Sequence, residues 1–172
     1  MELEQAIRSR RTHKVFAPEP VAREVLEELF ELARWAPNHH LTDPWRFRVL
    51  GPRTLALLKE LAEKLAPGSQ GKLDRAPTLV VASVVREGDE AQQSDDLLAT
   101  AVAAYLVLLA AHGRGLAGYW RSVPLLDSPA GREALGLDPA ERPIGLLHLG
   151  MPRQEQRVPE RAPVASFARY LP

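Results

Sequence analysis

The spacing of apolar residues predicts one mixed domain of helices and strands, α/β or α+β, and three stretches carry that expectation. Val21–Trp35 repeats Val25, Leu26, Leu29, Leu32 and Ala33 at three- and four-residue spacing, with Glu24, Glu27, Glu28 and Glu31 opposite, as an amphipathic helix does. Pro77–Val85 is apolar or β-branched at nearly every position, the composition of a strand buried on both faces. Asp95–His112 is apolar almost all round, so it is a helix sunk in a core or pressed against another subunit. Taken alone, the alternation of helix and strand predicts a parallel, doubly wound sheet.

The remaining elements follow in order. Glu2–Ser9 is a short helix with Leu3, Ala6 and Ile7 on one face. Pro37 ends the second helix, and Asn38–Asp43 is a loop. Pro44 opens a strand in which Trp45, Phe47 and Val49 alternate with Arg46 and Arg48. Gly51-Pro52 breaks it, Arg53–Leu65 is a surface helix, and Pro67–Gly71 is a polar loop. Arg86–Gln93 reads as an exposed connection. Gly113 and Gly115 end the long apolar helix, and Leu116–Trp120 is a third strand. Ser128–Leu135 is a short helix with Ser128 as N-cap and Pro129 at its first position, and Arg142–Gly150 is a fourth strand. Residues 151–172 hold four prolines and no helical period. A tail of that length carrying Phe167 and Tyr170 is expected to embrace a partner.

Composition removes several functions. Lys+Arg and Asp+Glu stand at 22 each, so no net positive charge attracts nucleic acid, and no nucleic-acid partner is expected. The absence of cysteine excludes disulfides, thiolate nucleophiles, iron–sulfur clusters and thiolate zinc. The start, MELEQAIRSRR, is too charged for a signal peptide, and the run Leu97–Ala111 is short of the roughly 20 residues that span a bilayer. No membrane partner and a cytoplasmic location are therefore expected. No Gly-rich nucleotide turn follows the first strand, since Gly51-Pro52-Arg53 lacks the spacing. Ser122 has no nucleophile elbow around it, and His148 alternates within an apolar strand as a hydrogen-bonded core histidine would. His39, His40 and Asp43 could be written as metal ligands, but adjacent histidines in an extended chain point apart, and no metal is expected.

What a core does not require is Arg10, Arg11, Thr12 and Lys14 in one stretch, or Asn38, His39, His40 and Asp43 between two prolines. Cations at a helix end are also common as solvated surface. Arginine forks, a lysine point charge and a short hydroxyl nevertheless make the donor set of a phosphate. Arg121 and Ser122 are a second such pair, beside Tyr119 and Trp120, although Trp120 at a strand end also reads as plain packing. Two pairs with aromatic neighbours suggest a phosphorylated ring cofactor.

Four stretches, IRSRRTHKVF, ARWAPNHHLTDPWRFRVL, GLAGYWRSVPLLDSPAGREALGL and IGLLHLGMP, together resemble the nitroreductase family of FMN-dependent oxidoreductases, and most of all its short-chain branch of provisionally named NAD(P)H nitroreductases. The resemblance covers nearly the whole chain in the same order. It implies an α+β fold with a mixed, largely antiparallel sheet flanked by helices, formed as a domain-swapped homodimer. On that reading 1–172 is a single domain whose residues from about 151 form an arm around the partner. FMN is the implied cofactor, at the subunit interface, and NAD(P)H the co-substrate. Hydride would pass through flavin to a small-molecule acceptor such as a nitroaromatic or quinone by ping-pong turnover. The resemblance places the phosphate and ribityl chain at Arg10, Arg11 and Thr12, with Lys14 following. Asn38 and His39 would contact flavin from the neighbouring subunit, and Trp120, Arg121 and Ser122 would complete the phosphate side. No side chain is implied as an obligatory catalytic acid or base. The chain departs from the family pattern at Trp35, where an arginine is usual, at Asp43, where a glutamine is, and at Val123, where a glycine is. Other flavin chemistry on the same fold, of dehalogenase or dehydrogenase type, or a non-catalytic flavin-binding module are the alternatives.

Overall fold

The computed structural model describes residues 1–172. Four strands, β1 (Trp45–Val49), β2 (Thr78–Val85), β3 (Ala117–Arg121) and β4 (Glu141–Gly150), form one sheet in the order β1-β2-β4-β3. Every neighbouring pair is antiparallel. This corrects the parallel, doubly wound sheet that alternation predicts and agrees with the largely antiparallel one implied by resemblance. The physical reason is one insertion. A long helix joins β2 to β3, and these two strands do run in the same direction, as a crossover requires. The last strand, β4, then inserts between them and opposes both.

Five helices flank the sheet: α1 (Leu3–Ser9), α2 (Arg23–Ala33), α3 (Pro52–Leu65), α4 (Glu90–Gly113) and α5 (Pro129–Leu135). Alternate residues of β2 and β4 face opposite sides, so two cores form. Val80, Ala82, Leu147 and Leu149 pack with α2 and α4. Leu79, Val81 and Leu146 pack with Leu58 and Ala62 of α3 and Leu135 of α5. β2 is buried along almost its whole length, as expected from its composition.

Boundaries shift for identifiable reasons. α2 begins at Arg23 rather than Val21 because the Val21 amide is taken by Thr78 Oγ1 at 2.8 Å. α4 begins at Glu90 rather than Asp95, so part of the expected exposed connection 86–93 is helix. Asp89 caps it, its carboxylate accepting the Gln92 amide at 2.9 Å. By length and composition alone α4 could cross a membrane, which the shorter run 97–111 could not. One of its sides, through Ala103, Ala104, Val107 and Ala111, is buried, while Leu98 on another is 63% exposed. Ser128 caps α5 as expected, through the Gly131 amide. Residues 151–172 contain one short 3-10 turn, Val164–Ser166, and Phe167, Tyr170 and Leu171 are exposed in the protomer.

Candidate functional site

After α1 the chain becomes extended and docks on the open edge of β3. Thr12 and Gly118 form an isolated parallel bridge, and the His13 amide donates to the Gly118 carbonyl at 3.2 Å. A bend at Lys14 then returns the chain to Phe16, which pairs with Pro152. An extended segment sends neighbouring side chains to opposite sides. Arg10 lies over the ring of Tyr105 of α4, 5.7 Å from its centroid. Ser9, Arg11 and His13, with His112 and residues 152–156, line a depression of about 770 Å³ instead. Arg11 spends one guanidinium nitrogen on the carbonyls of Arg8 and Arg10, at 2.6 and 2.8 Å, and its Nε is buried without a partner. Thr12 and Lys14 are exposed.

None of Arg10, Arg11, Lys14 and Arg121 is in an ion pair. Arg10 and Arg11 act on two nearby histidines. His13 titrates below its ordinary value through burial, then the neighbouring His112 and Arg10. His112 does so through burial, then Arg10 and Arg11. Ser9 is no nucleophile here. Its hydroxyl donates to the Gln5 carbonyl at 2.7 Å, so His112 Nε2, also at 2.7 Å, is the donor to Ser9 and not its base.

β3 carries Trp120, Arg121 and Ser122 away from that bridge; Arg121 lies about 10 Å along the strand from Gly118. Trp120 is largely a packing residue. Its indole donates to the Ile144 carbonyl at 3.3 Å, Ile144 being the extra residue of a bulge in β4. The following Gly145 makes room, because a Cβ there would stand 2.1 Å from Trp120 Nε1. Arg121 and Ser122 instead line a cavity of about 250 Å³ with Ser69, Lys72 and Leu73, walled mostly by apolar side chains. Beneath it, His148 is fully buried, stacked at 5.2 Å on Tyr119, with Nε2 3.3 Å from the Lys72 carbonyl and Nδ1 unpartnered. Burial, above all, keeps its imidazole neutral, and Arg121 adds to that. This is the hydrogen-bonded core histidine expected from alternation.

The loop 38–43 stands elsewhere, near the beginning of α4. His40, Leu41 and Asp43 have φ of 58°, 51° and 44°, a left-handed backbone that costs these residues on the order of 1 kcal/mol each. The strain brings the rings of His39 and His40 to 3.8 Å between centroids, correcting the expectation that they point apart. No group of three or more His, Asp or Glu is placed to hold a metal ion. Asn38 turns inward, its Oδ1 accepting the Asp43 amide at 2.8 Å and its Nδ2 reaching Thr42 Oγ1 at 3.0 Å. His39 is exposed, and so is Trp35, at 77%. Within one protomer this loop does not join the Arg10 cluster. It is tied to Asp96, nine residues before Tyr105, or about 14 Å along the helix axis.

The fold thus brings Arg10–Lys14 to the strand that carries Trp120–Ser122 and leaves Asn38 and His39 apart. Reasoning from sequence missed Tyr105, His112, Lys72 and Asp96. Asp89 was detectable, since Asp89 and Gln92 have capping-box spacing. The others act through partners far away in the chain, and no local pattern marks them.

Comparison with known proteins fits this geometry. The sequence model of the Nitroreductase family matches residues 7–151. A Bacillus subtilis protein provisionally named NAD(P)H nitroreductase YfhC is 29% identical over 94% of this chain and 90% of its own. A similarly named Haemophilus influenzae protein is 32% identical over 80% of each. Among solved structures, a nitroreductase-like protein from Bacillus cereus superposes with a TM-score of 0.89 at 24% identity, over 99% of this chain and 96% of that one. A protein from Desulfovibrio desulfuricans provisionally named a nitroreductase, solved in complex with FMN, superposes at 0.80 with 26% identity, over 98% and 96%. With the family's sequence model matching residues 7–151 and a relative 32% identical over 80% of the chain, the chain belongs to the nitroreductase family.

Proposed function

We propose that the protein is an FMN-dependent NAD(P)H oxidoreductase acting on a small-molecule electron acceptor, such as a nitroaromatic or a quinone. The observation that carries this is the cluster of cations at the edge of β3 with no carboxylate paired to it, whose Arg10 and Arg11 add to burial in lowering the pKa of two histidines. Such a field is costly in an apo-protein and is relieved by a bound anion. The residues fit a phosphorylated cofactor. Arg10 supplies a free guanidinium steadied by Tyr105, Thr12 an exposed hydroxyl and Lys14 an exposed ammonium, while Arg121 and Ser122 line a cavity farther along β3. Arg11 contributes field from the reverse side, Asn38 shapes the loop that carries His39, and Trp120 braces the strand end.

The chemistry that FMN supplies when bound is hydride acceptance from NAD(P)H and electron release to the acceptor, in ping-pong order. The protein's share is to bind, orient and stabilise charge. Arg10, Thr12 and Arg121 would hold the phosphate side, and Lys14 or the Arg10–Arg11 pair would supply the fixed positive charge that favours the reduced cofactor. No side-chain acid or base is obligatory. The working unit is a homodimer with the cofactor between subunits. Leu98 and Val102 are exposed on α4, with Tyr105 and Leu109 in line at helical spacing, and Phe167, Tyr170 and Leu171 near the end of the 151–172 arm are exposed in one protomer. Cytoplasmic residence fits this use of NAD(P)H.

The test is optical. Purified protein given FMN should take it up and be bleached by NADH or NADPH under anaerobic conditions, then recover colour with a quinone. Arg10→Ala and Arg121→Ala should each weaken FMN by about 10- to 100-fold, the loss of one charge-assisted phosphate contact, with unchanged circular dichroism. Full retention of FMN in both variants sinks the assignment. Trp35 and Asp43, both departures from the family pattern, favour a second reading as a flavin-binding module without turnover. Bound FMN that NAD(P)H cannot bleach would establish it.

A further inference from the structure

The loop that presents His39 is held by a residue outside every motif. Asp96, in the second turn of α4, is 2% exposed, and no cation lies within ion-pair distance of it. A single carboxylate oxygen, Oδ1, accepts three neutral donors: Thr42 Oγ1 at 2.6 Å, Gln92 Nε2 at 2.9 Å and Asn38 Nδ2 at 3.5 Å. Two of these belong to the loop, 54 and 58 residues away in sequence. Asn38 passes the restraint on by accepting the Asp43 amide, and Arg46 donates to the Asp43 carbonyl at 2.8 Å. One buried oxygen therefore closes a loop with three non-glycine residues at positive φ. A buried carboxylate without a cation is destabilising, and a fold that wanted only packing there would place an apolar residue. Strained backbone persists only where its surroundings over-determine it, and Asp96 holds two residues of this loop, Asn38 and Thr42.

We propose that Asp96 is a positioning residue of the flavin site. Through Thr42 and Asn38 it pre-orders residues 38–43 so that His39 meets the FMN bound to the neighbouring subunit; this rests on the reading of the site as an FMN site. Without the clamp the loop relaxes toward ordinary backbone conformations, and FMN must reorder it on binding. The loss then falls on cofactor affinity and leaves kcat of the saturated enzyme near its original value.

The test uses Asp96→Leu, Asp96→Asn, Thr42→Val and His39→Ala in the full chain. In protein without FMN, hydrogen exchange of the Asp43 amide should quicken about tenfold or more in Asp96→Leu and Thr42→Val, with core amides of β2 unchanged. Asp96→Asn, which keeps an acceptor oxygen, should stay within about threefold of the parent. FMN affinity should fall about tenfold in Asp96→Leu with kcat at saturating FMN retained, and should recover in Asp96→Asn. Combined with His39→Ala, Asp96→Leu should add no further loss. Thr42 is exposed, so Thr42→Val reports on the clamp even if Asp96→Leu fails to fold. Unchanged Asp43 exchange in Thr42→Val overturns the clamp. A His39→Ala protein with undiminished FMN affinity overturns instead the reading of the loop as a flavin contact, and with it the purpose assigned to Asp96.

Discussion

At the scale of single residues, neighbours in sequence have separate tasks. Arg10 and Arg11 read alike in the chain, yet Arg10 lies over Tyr105 with its guanidinium free while Arg11 gives one guanidinium nitrogen to two carbonyls. The buried histidine of the sheet makes a prediction about pH. His148 has a folded pKa below its unfolded value of 6.5, so below that pH the unfolded state binds a proton that the folded state refuses. Its contribution to stability is therefore intact above pH 6.5 and declines as pH falls below it. His13 and His112 have the same sign. His148→Leu should cost about 1 kcal/mol at pH 7.5, for the Lys72 carbonyl left without its donor, and should flatten the fall in melting temperature between pH 6.5 and 5. Equal slopes for parent and variant in thermal melts would contradict this. The cationic cluster was legible from sequence because no core needs it. Asp96 was not, because a carboxylate near a helix start reads as solvated surface until Thr42 and Asn38 are folded against it.

Among elements, the bulge of β4 couples the core to the site. Ile144 offers its carbonyl to Trp120, and Gly145 leaves the space in which the indole lies. Gly145→Ala must displace the Trp120 ring or the strand carrying Arg121, since the new Cβ would also stand 3.1 Å from the Arg121 carbonyl. The expected loss is about 1–3 kcal/mol, accompanied by a red shift of tryptophan emission and weaker FMN. Gly113→Ala is the control. It meets nothing within 4 Å at the end of α4 and should be neutral or stabilising by about 0.5–1 kcal/mol. Chemical denaturation with fluorescence detection measures both. A Gly145→Ala protein as stable as its parent would show that Trp120 is not wedged there.

For the whole molecule, the apolar face of α4 and the 151–172 arm are among the parts one protomer leaves unburied. Leu98→Arg puts a charge on that face, far from the Arg10 contact at Tyr105. It should convert a sedimenting dimer to a protomer and release FMN in the same concentration range. Sedimentation velocity with detection at flavin wavelengths follows both events. A variant that is monomeric yet holds FMN as tightly as the parent would show that one subunit suffices.

By itself the sequence determined which stretches are helix or strand, through periodicity; where several of them stop, through proline and glycine; and which cations are surplus to a core. These are short-range properties, set by residues within a turn or a pleat of each other. Only the tertiary structure decided that β4 enters between β2 and β3, that Thr12 docks on Gly118, and that a buried Asp96 governs a loop more than fifty residues away. Each of these depends on a pairing between distant segments, and the free energy of such a pairing resides in neither partner until both are brought together.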